Sequence, residues 1–207
     1  MSDLVYVTSN KGKIIRAKEQ FDKFGINLDW YDHDCDEPEI NDIDYISRHK
    51  VLEAYNLIQR PCFVVDSGFY IDNYPDEPGF PGAFPKRAII NAEGGIIGLL
   101  DKMKDIQDRR CRFVDCLTYY DGTEFKTFYG ISEGNLSYDK RGIDQVRAKS
   151  DLWYVFVPNN HDKTLAEMTD EERNNRNDGR TSAIEEFIQW YKKENTNIKQ
   201  LLLAKNE

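Results

Sequence analysis

At 207 residues, 40% hydrophobic and 31% charged, the chain is long enough for one domain with a substantial core and too apolar for disorder. Its formal net charge of −9 excludes long nucleic acid as the main partner, which would need a basic footprint, yet allows a nucleotide held with a divalent cation. No apolar run approaches the roughly 20 residues that span a membrane, and MSDLVYVTSNKGK lacks a basic-then-apolar signal, so a soluble, cytoplasmic protein is expected.

Leu4 to Thr8 reads as a strand followed at once by Thr8-Ser9-Asn10-Lys11-Gly12-Lys13. Ile14, Ile15, Ala17, Lys18, Phe21 and Phe24 then recur at helical spacing, with Gly25 as the stop. A strand, a small polar turn and a helix offer free N–H groups and a positive dipole end to an anion. Asn10 can bond a phosphate oxygen while Lys11 or Lys13 supplies charge; the alternative is a plain turn with solvated lysines. The GxxxxGK spacing of a Walker loop is absent.

Ile26 to Tyr31 predicts a second strand, leading into the acidic DHDCDEPEIND. His33-Asp34-Cys35-Asp36 reads as an acidic loop rather than a metal cluster, because four adjacent residues rarely converge on one ion. Cys35, Cys62, Cys111 and Cys116 form no CxxC pair, and free thiols are expected, the last three buried. Ile43, Ile46, Lys50, Val51, Ala54, Leu57 and Ile58 then keep helical spacing. Glu39 precedes that helix and suits its dipole. Lys50, among apolar positions, either snorkels or points toward a ligand.

The stretch Pro61 to Arg87 organises the rest. Cys62 to Val65 reads as a buried strand ending on Asp66, Ser67-Gly68 as a turn, and Phe69-Tyr70-Ile71 as a second extended run. A loop with Pro75, Pro78, Gly79, Pro81, Gly82 and Pro85 follows, closed by Lys86-Arg87. A carboxylate at the end of a buried strand sits where open α/β sheets bind ligands. The bland alternative is that Asp66 only bonds turn amides.

Lys86 begins a helical pattern running to Met103, interrupted by Gly94-Gly95. CRFVDCLTYY and EFKTFYGISEGNLSY are joined through Asp121-Gly122-Thr123, a strong hairpin signal. Asp139 to Asp151 reads as a loop and Leu152 to Val157 as a short strand ended by Pro158. Thr169 with Glu172 and Ser182 with Glu185 match capping boxes, so two helices start there, separated by a polar loop with Arg176 and Arg180. Residues 1–194 are read as one domain and 195–207 as a tail, docked as a short helix or frayed.

Together these pieces resemble, from about Leu4 to Tyr191, the inosine triphosphate pyrophosphatase (ITPase) family of house-cleaning nucleoside triphosphate pyrophosphatases. The T-G-N-x-x-K pattern appears as Thr8-Ser9-Asn10-Lys11-Gly12-Lys13, and the metal-binding glutamate and lysine around the second helix as Glu39 and Lys50. D-S-G-L appears as Asp66-Ser67-Gly68-Phe69, and P-G-x-[YF] as Pro81-Gly82-Ala83-Phe84, with Lys86 at a basic position. K-T-x-A-E-M and E-K-N appear as Lys163 to Met168 and Glu172-Arg173-Asn174. Each motif alone is weak; six in the right order are strong.

The resemblance implies an α/β fold with an elongated central mixed sheet flanked by helices, in two lobes with the active site in the cleft between them. It implies cleavage between the α and β phosphates, giving monophosphate and pyrophosphate, with Mg²⁺ (Mn²⁺ as the alternative) neutralising phosphate oxygens. Glu39 and Asp66 would bind the metal, and Asp66 would orient or deprotonate the water. Thr8, Asn10, Lys13, Lys50, Ser67 and Lys86 would hold the triphosphate, with Lys13 also assisting catalysis. A homodimer is implied as well.

The chain departs from the pattern at named positions. Where the family resembles D-D before the serine, the first acid is Val65. The base-recognition F-G-[YW]-D-P-x-F appears as Ser150 to Phe156 without its Asp-Pro, and S-H-R as Asp178-Gly179-Arg180 without its histidine. Arg173 replaces the lysine of E-K-N and keeps its charge as a substrate contact, while Asp178-Gly179-Arg180 keeps the arginine. An accept-only Asp178 facing the base would favour one presenting an N–H donor; the alternative is that Asp178 is solvated in a loop and the base stacks on Trp153 or Phe156. The expectation is a pyrophosphatase for non-canonical or modified nucleotides with altered or relaxed base specificity. The rival reading is a nucleotide-binding protein that has lost turnover with the acid before Asp66.

Overall fold

Leu4 to Val7 is apolar without alternation, the pattern of a strand covered on both faces. In the computed structural model, which describes residues 4–87, 94–142, 148 and 150–204, this segment forms β1 (Val5–Val7), an inner strand of the sheet. The helix α1 (Lys11–Lys23) starts directly after it, because Asn10 takes an extended conformation and its Oδ1 accepts from the Gly12 and Lys13 amides. Ile14, Ala17 and Phe21 form its buried stripe. β2 (Asp29–Tyr31) pairs in parallel with β1. The second helix, α2 (Ile43–Ile58), is capped by Asp42 and buries Ile46, Val51 and Ala54.

β3 (Cys62–Ile71) runs in parallel beside β1 and then continues through Asp66-Ser67-Gly68 without turning. This corrects the expected break after Asp66. A ten-residue antiparallel ladder to β5 (Arg110–Tyr120), from Cys62↔Tyr120 to Ile71↔Cys111, holds the small polar residues extended. β4 (Pro81–Gly82) returns to pair with Phe69 and Tyr70. β6 (Phe125–Leu136) closes the expected hairpin, whose turn is fastened by Asp121 Oδ1 accepting from the Thr123 and Glu124 amides. With β7 (Phe156–Pro158) at the far edge, the mixed sheet has the order β2-β1-β3-β5-β6-β7.

Alternation along β3 divides the first half of the core. Phe63 packs with Tyr6, Phe21 and Phe187 under α1 and α5 (Ala183–Ala204), while Cys62 and Val64 pack with Val51 and Ala54 of α2. Farther along the same strand Phe69 and Ile71 enter a separate core with Leu99, Met103, Phe156 and Leu165, beneath α3 (Gly95–Lys102). Each fully buried side chain of this size contributes ~1.5–3 kcal/mol.

Two other expectations change. The strand read over Leu152 to Val157 is a 3-10 helix, Asp151–Tyr154, started by Ser150, and only then β7. α3 begins at Gly95 after left-handed Gly94, and residues 88–93 of the helical pattern read from Lys86 lie outside those described. Part of the loop read over Asp139 to Asp151 also lies outside them. α4 (Asp170–Asn175) carries the full Thr169–Glu172 capping box. α5 runs on to Ala204, so residues 195–204 continue this helix. Among the described residues no helix is long and apolar enough to cross a membrane.

Candidate active site

β5 occupies one edge of β3 along its whole length, so β1 and β4 share the other. β1 pairs only with Cys62 and Phe63, and β4 only with Phe69 and Tyr70. Among the described residues the edge of β3 between them is therefore free of strand partners, and a cleft of about 620 Å³ opens against it. Its walls come from the β1–α1 turn, the loop after β2, α2 and the segment after β4. Thr8, Asn10, Lys13, Lys50, Asp66, Ser67 and Lys86 all line it, so the residues assigned to the triphosphate from sequence share one cleft.

Asp66 lies on the α2 face of β3. Its Oδ1 accepts from Lys50 Nζ at 2.7 Å, and the same ammonium donates to Glu37 Oε1 at 2.7 Å. Burial works to lower the Lys50 pKa, but the Asp66 charge and the bonds to Asp66 and Glu37 outweigh it and raise it. Asp66 Oδ2 is buried and has no hydrogen-bond partner among the described residues. A buried carboxylate oxygen left unsatisfied costs ~1–3 kcal/mol, so it calls for a cation or a proton donor. Glu37 and Asp66 converge on one ammonium and offer only hard oxygens, a donor set that fits a divalent cation such as Mg²⁺. Glu39 is exposed and does not line the cleft. Glu37, two residues earlier in the acidic loop, is the acid that lines the cleft.

Lys13 reaches from α1 to the free edge, where its Nζ donates to the Val65 carbonyl at 2.7 Å. Burial lowers its pKa despite the nearby Asp66 and Asp115 charges. Asn10 spends its Oδ1 on the helix cap, leaving its amide N–H groups and the α1 terminus for an anion. Thr8 accepts the Asn10 amide through Oγ1 and, through its carbonyl, the Trp30 indole N–H. Lys86 approaches from beyond β4, where Asn41 Oδ1 accepts the Ala83 amide.

Ser67 points to the opposite face from Asp66 and donates to Asp115 Oδ1 at 2.6 Å across the β3–β5 ladder. Asp115 lines a second cavity of about 170 Å³ with Lys13, Arg16, Gln20, Val65 and Ser182. Sequence reading missed both Glu37 and Asp115. The signal for Asp115 was a lone acid inside the strand pattern RFVDCLTYY; the acidic loop gave no periodicity to separate Glu37 from its neighbours. The four cysteines are free, as expected, and burial pushes Cys35 and Cys62 up to about 12.

The residues assigned to the base do not line this cleft. Phe156 is fully buried against Phe69 and Phe113, so it is a core residue and presents no stacking face. Asp178 is buried too: its Oδ2 accepts from Arg176 Nε at 2.6 Å and Ser132 Oγ at 3.1 Å. Burial works to raise its pKa, but the Arg176 bond and charge and the Ser132 bond outweigh it. Its Oδ2 is thus bonded within the protein, to groups other than the cleft residues. Arg180 donates to the Arg173 and Asn174 carbonyls at the end of α4. Arg173 donates to the Leu165 and Met168 carbonyls and lies over the half-buried Trp153 ring, 5.2 Å from its centroid.

The Ham1 family model matches residues 4–190. The dITP/XTP pyrophosphatase of Saccharolobus solfataricus is 32% identical over 186 residues, 89% of this chain and 91% of that protein. The dITP/XTP pyrophosphatase of Pyrococcus horikoshii is 28% identical over 190 residues, 91% of this chain and 96% of its own length. Among solved structures, the Coxiella burnetii HAM1 protein superposes with a TM-score of 0.77 at 20% identity, covering 93% of this chain and 100% of that one. The Staphylococcus aureus Ham1 protein gives 0.74 at 23% identity, covering 92% and 99%.

Proposed function

The chain belongs to the Ham1 family, and from that premise we propose that it is a nucleoside triphosphate pyrophosphatase, releasing pyrophosphate and a nucleoside monophosphate. The observation that carries this reading is the cleft lined by Lys13, Lys50, Lys86, the α1 N-terminus and Asp66, whose buried Oδ2 has no hydrogen-bond partner among the described residues. Three ammonium groups and a helix dipole suit a triphosphate, and a carboxylate oxygen beside them suits hydrolysis.

Asn10 and the α1 amides bind phosphate oxygens, and Lys13 and Lys86 offset the charge that grows on the leaving pyrophosphate. Asp66 Oδ2 accepts a proton from the attacking water, while Lys50 holds Oδ1 and so fixes the orientation of the carboxylate. Glu37 and Asp66 would hold Mg²⁺, which supplies charge neutralisation at the phosphate oxygens when bound. Asp115, bonded to Ser67, places a second carboxylate next to Lys13 where Val65 has removed one.

The substrate class is a non-canonical or modified nucleoside triphosphate, in keeping with relatives named for dITP and XTP. Base discrimination is relaxed, a reading supported by Asp178, Arg173 and Arg180 already spending hydrogen bonds on protein groups. Pyrophosphate release measured over a panel of nucleotides with Mg²⁺ tests both statements. Release with less than about 10²-fold preference among bases of similar size is expected. A preference of about 10⁴-fold or more for inosine or xanthosine triphosphate would overturn the relaxed specificity. No release from any triphosphate would instead favour a binding protein. The homodimer follows the resemblance and is tested by light scattering.

A further inference from the structure

The loop after β2 returns against α2 as one wall of the cleft, which His33 and Cys35 both line. There His33 Nε2 meets Glu53 Oε1 at 2.7 Å, and Glu53 Oε2 accepts the Asp36 amide at 2.8 Å. Cys35, between them in sequence, is half-buried on the same spot. The ligand atoms of His33, Cys35 and Glu53 all lie within 4.8 Å of one another. A tetrahedron with bonds of ~2.0–2.3 Å has edges of ~3.3–3.8 Å, so side-chain movement of about an ångström would close these three on one ion.

We propose that His33, Cys35 and Glu53 form a transition-metal site, selective for Zn²⁺ or a similar borderline-soft ion and separate from the all-oxygen pair Glu37 and Asp66. The donor set is the argument. An imidazole nitrogen, a thiolate sulfur and a carboxylate oxygen suit zinc, whereas Mg²⁺ prefers oxygen alone. Three protein ligands leave a fourth position for water or an external group. On binding, Cys35 gives its S–H proton to solvent, His33 coordinates through an unprotonated nitrogen, and the His33–Glu53 hydrogen bond is exchanged for two metal bonds. The alternative is that this hydrogen bond only pins the loop and Cys35 is an inert thiol.

The sequence reading against a metal rested on adjacent residues failing to converge. Two loop residues and a third ligand from α2 converge where four neighbours would not. The same loop carries Glu37 to Lys50, so an occupied site would also fix the path of a cleft wall.

The test is titration of the chelator-treated full chain with Co²⁺ in place of Zn²⁺, in the presence of Mg²⁺. A near-ultraviolet thiolate-to-cobalt charge-transfer band, saturating at one Co²⁺ per chain and displaced by Zn²⁺, is the expected result. Cys35→Ser should abolish the band, and His33→Ala should weaken binding at least about tenfold. Glu53→Gln, which keeps a partner for His33 and so protects the fold, should weaken it likewise. Asp66→Asn should leave the band intact, which separates this proposal from the hydrolytic reading. Absence of the band, its survival in Cys35→Ser, or its loss in Asp66→Asn would each overturn the site.

Discussion

Asp66 is 13% exposed in its side chain, holds one ammonium through Oδ1 and has Oδ2 without a partner among the described residues. Such a group serves chemistry better than stability, since burying a polar atom unpaired is costly. Asp66→Asn keeps the shape and a bond to Lys50 while removing the charge. It should lower pyrophosphate release by about 10²-fold or more without changing the far-ultraviolet circular dichroism. Near-normal turnover would remove Asp66 from the chemistry. Lys13 carries the second prediction at this scale. Its pKa is lowered by burial, so in the free protein its charge is lost at lower pH than that of an ordinary lysine, near ~10.4. Triphosphate affinity should therefore weaken as pH rises through the lowered value, and Lys13→Arg should hold its affinity over that range. An identical alkaline limb in both proteins would exclude Lys13 as its source. Both were legible in the sequence, Asp66 as a carboxylate in an apolar strand and Lys13 as a basic residue in the polar turn that opens a helix. Glu39 and Phe156, which lie outside the cleft, carry weaker signals. One lay in an acidic loop with no period, and the other fitted an aromatic motif whose register the core claims.

The cleft exists because elements stop short. β1 ends at Val7 while β3 continues to Ile71, and β4 resumes the pairing only at Phe69 and Tyr70. Gly82, at the end of β4, has φ +73 and faces Asn41, whose side chain a Cβ would strike. Asn41 in turn accepts the Ala83 amide and so ties the segment carrying Lys86 to the start of α2. Gly82→Ala should destabilise the protein by about 1–3 kcal/mol, read from a lower urea midpoint at unchanged slope. An unchanged midpoint would mean this close approach is easily relieved. The hairpin, both main helices and the Thr169 capping box were legible, since their signals are local. The continuity of β3 was not. Ser67-Gly68 has the composition of a turn, and only the distant β5 ladder keeps it extended. The Asp151–Tyr154 3-10 helix was hidden likewise, because its aromatic residues are equally at home in a strand.

At the scale of the whole molecule, three core clusters hang on one strand, two at its start and one at its end, forming a first and a second core region. Cys62 to Val64 belong to the cores under α1, α2 and α5, while Phe69 and Ile71 belong to the core under α3. Between these ends Asp66 and Ser67 face cavities rather than packed side chains. The sequence indicates two lobes only through the resemblance, because the pattern of each element says which face is buried and not which core receives it. If the middle of β3 were a weak hinge, the cores could unfold separately. The ladder to β5 argues otherwise: it spans all ten β3 residues, and β5 pairs in turn with β6 from Arg110 to Tyr120. Breaking either core alone would strip strand partners from the other, so a single cooperative transition is expected. Tryptophans report on the two sides, with Trp30 and Trp190 against the first core and Trp153 against the second. In Trp153→Phe the fluorescence follows the first core; in the double variant Trp30→Phe, Trp190→Phe it follows the second. Within each variant the urea midpoint by fluorescence should coincide with that by far-ultraviolet circular dichroism, which removes any effect of the substitutions on stability. Midpoints that separate in either variant would show that the free stretch of β3 uncouples the two cores.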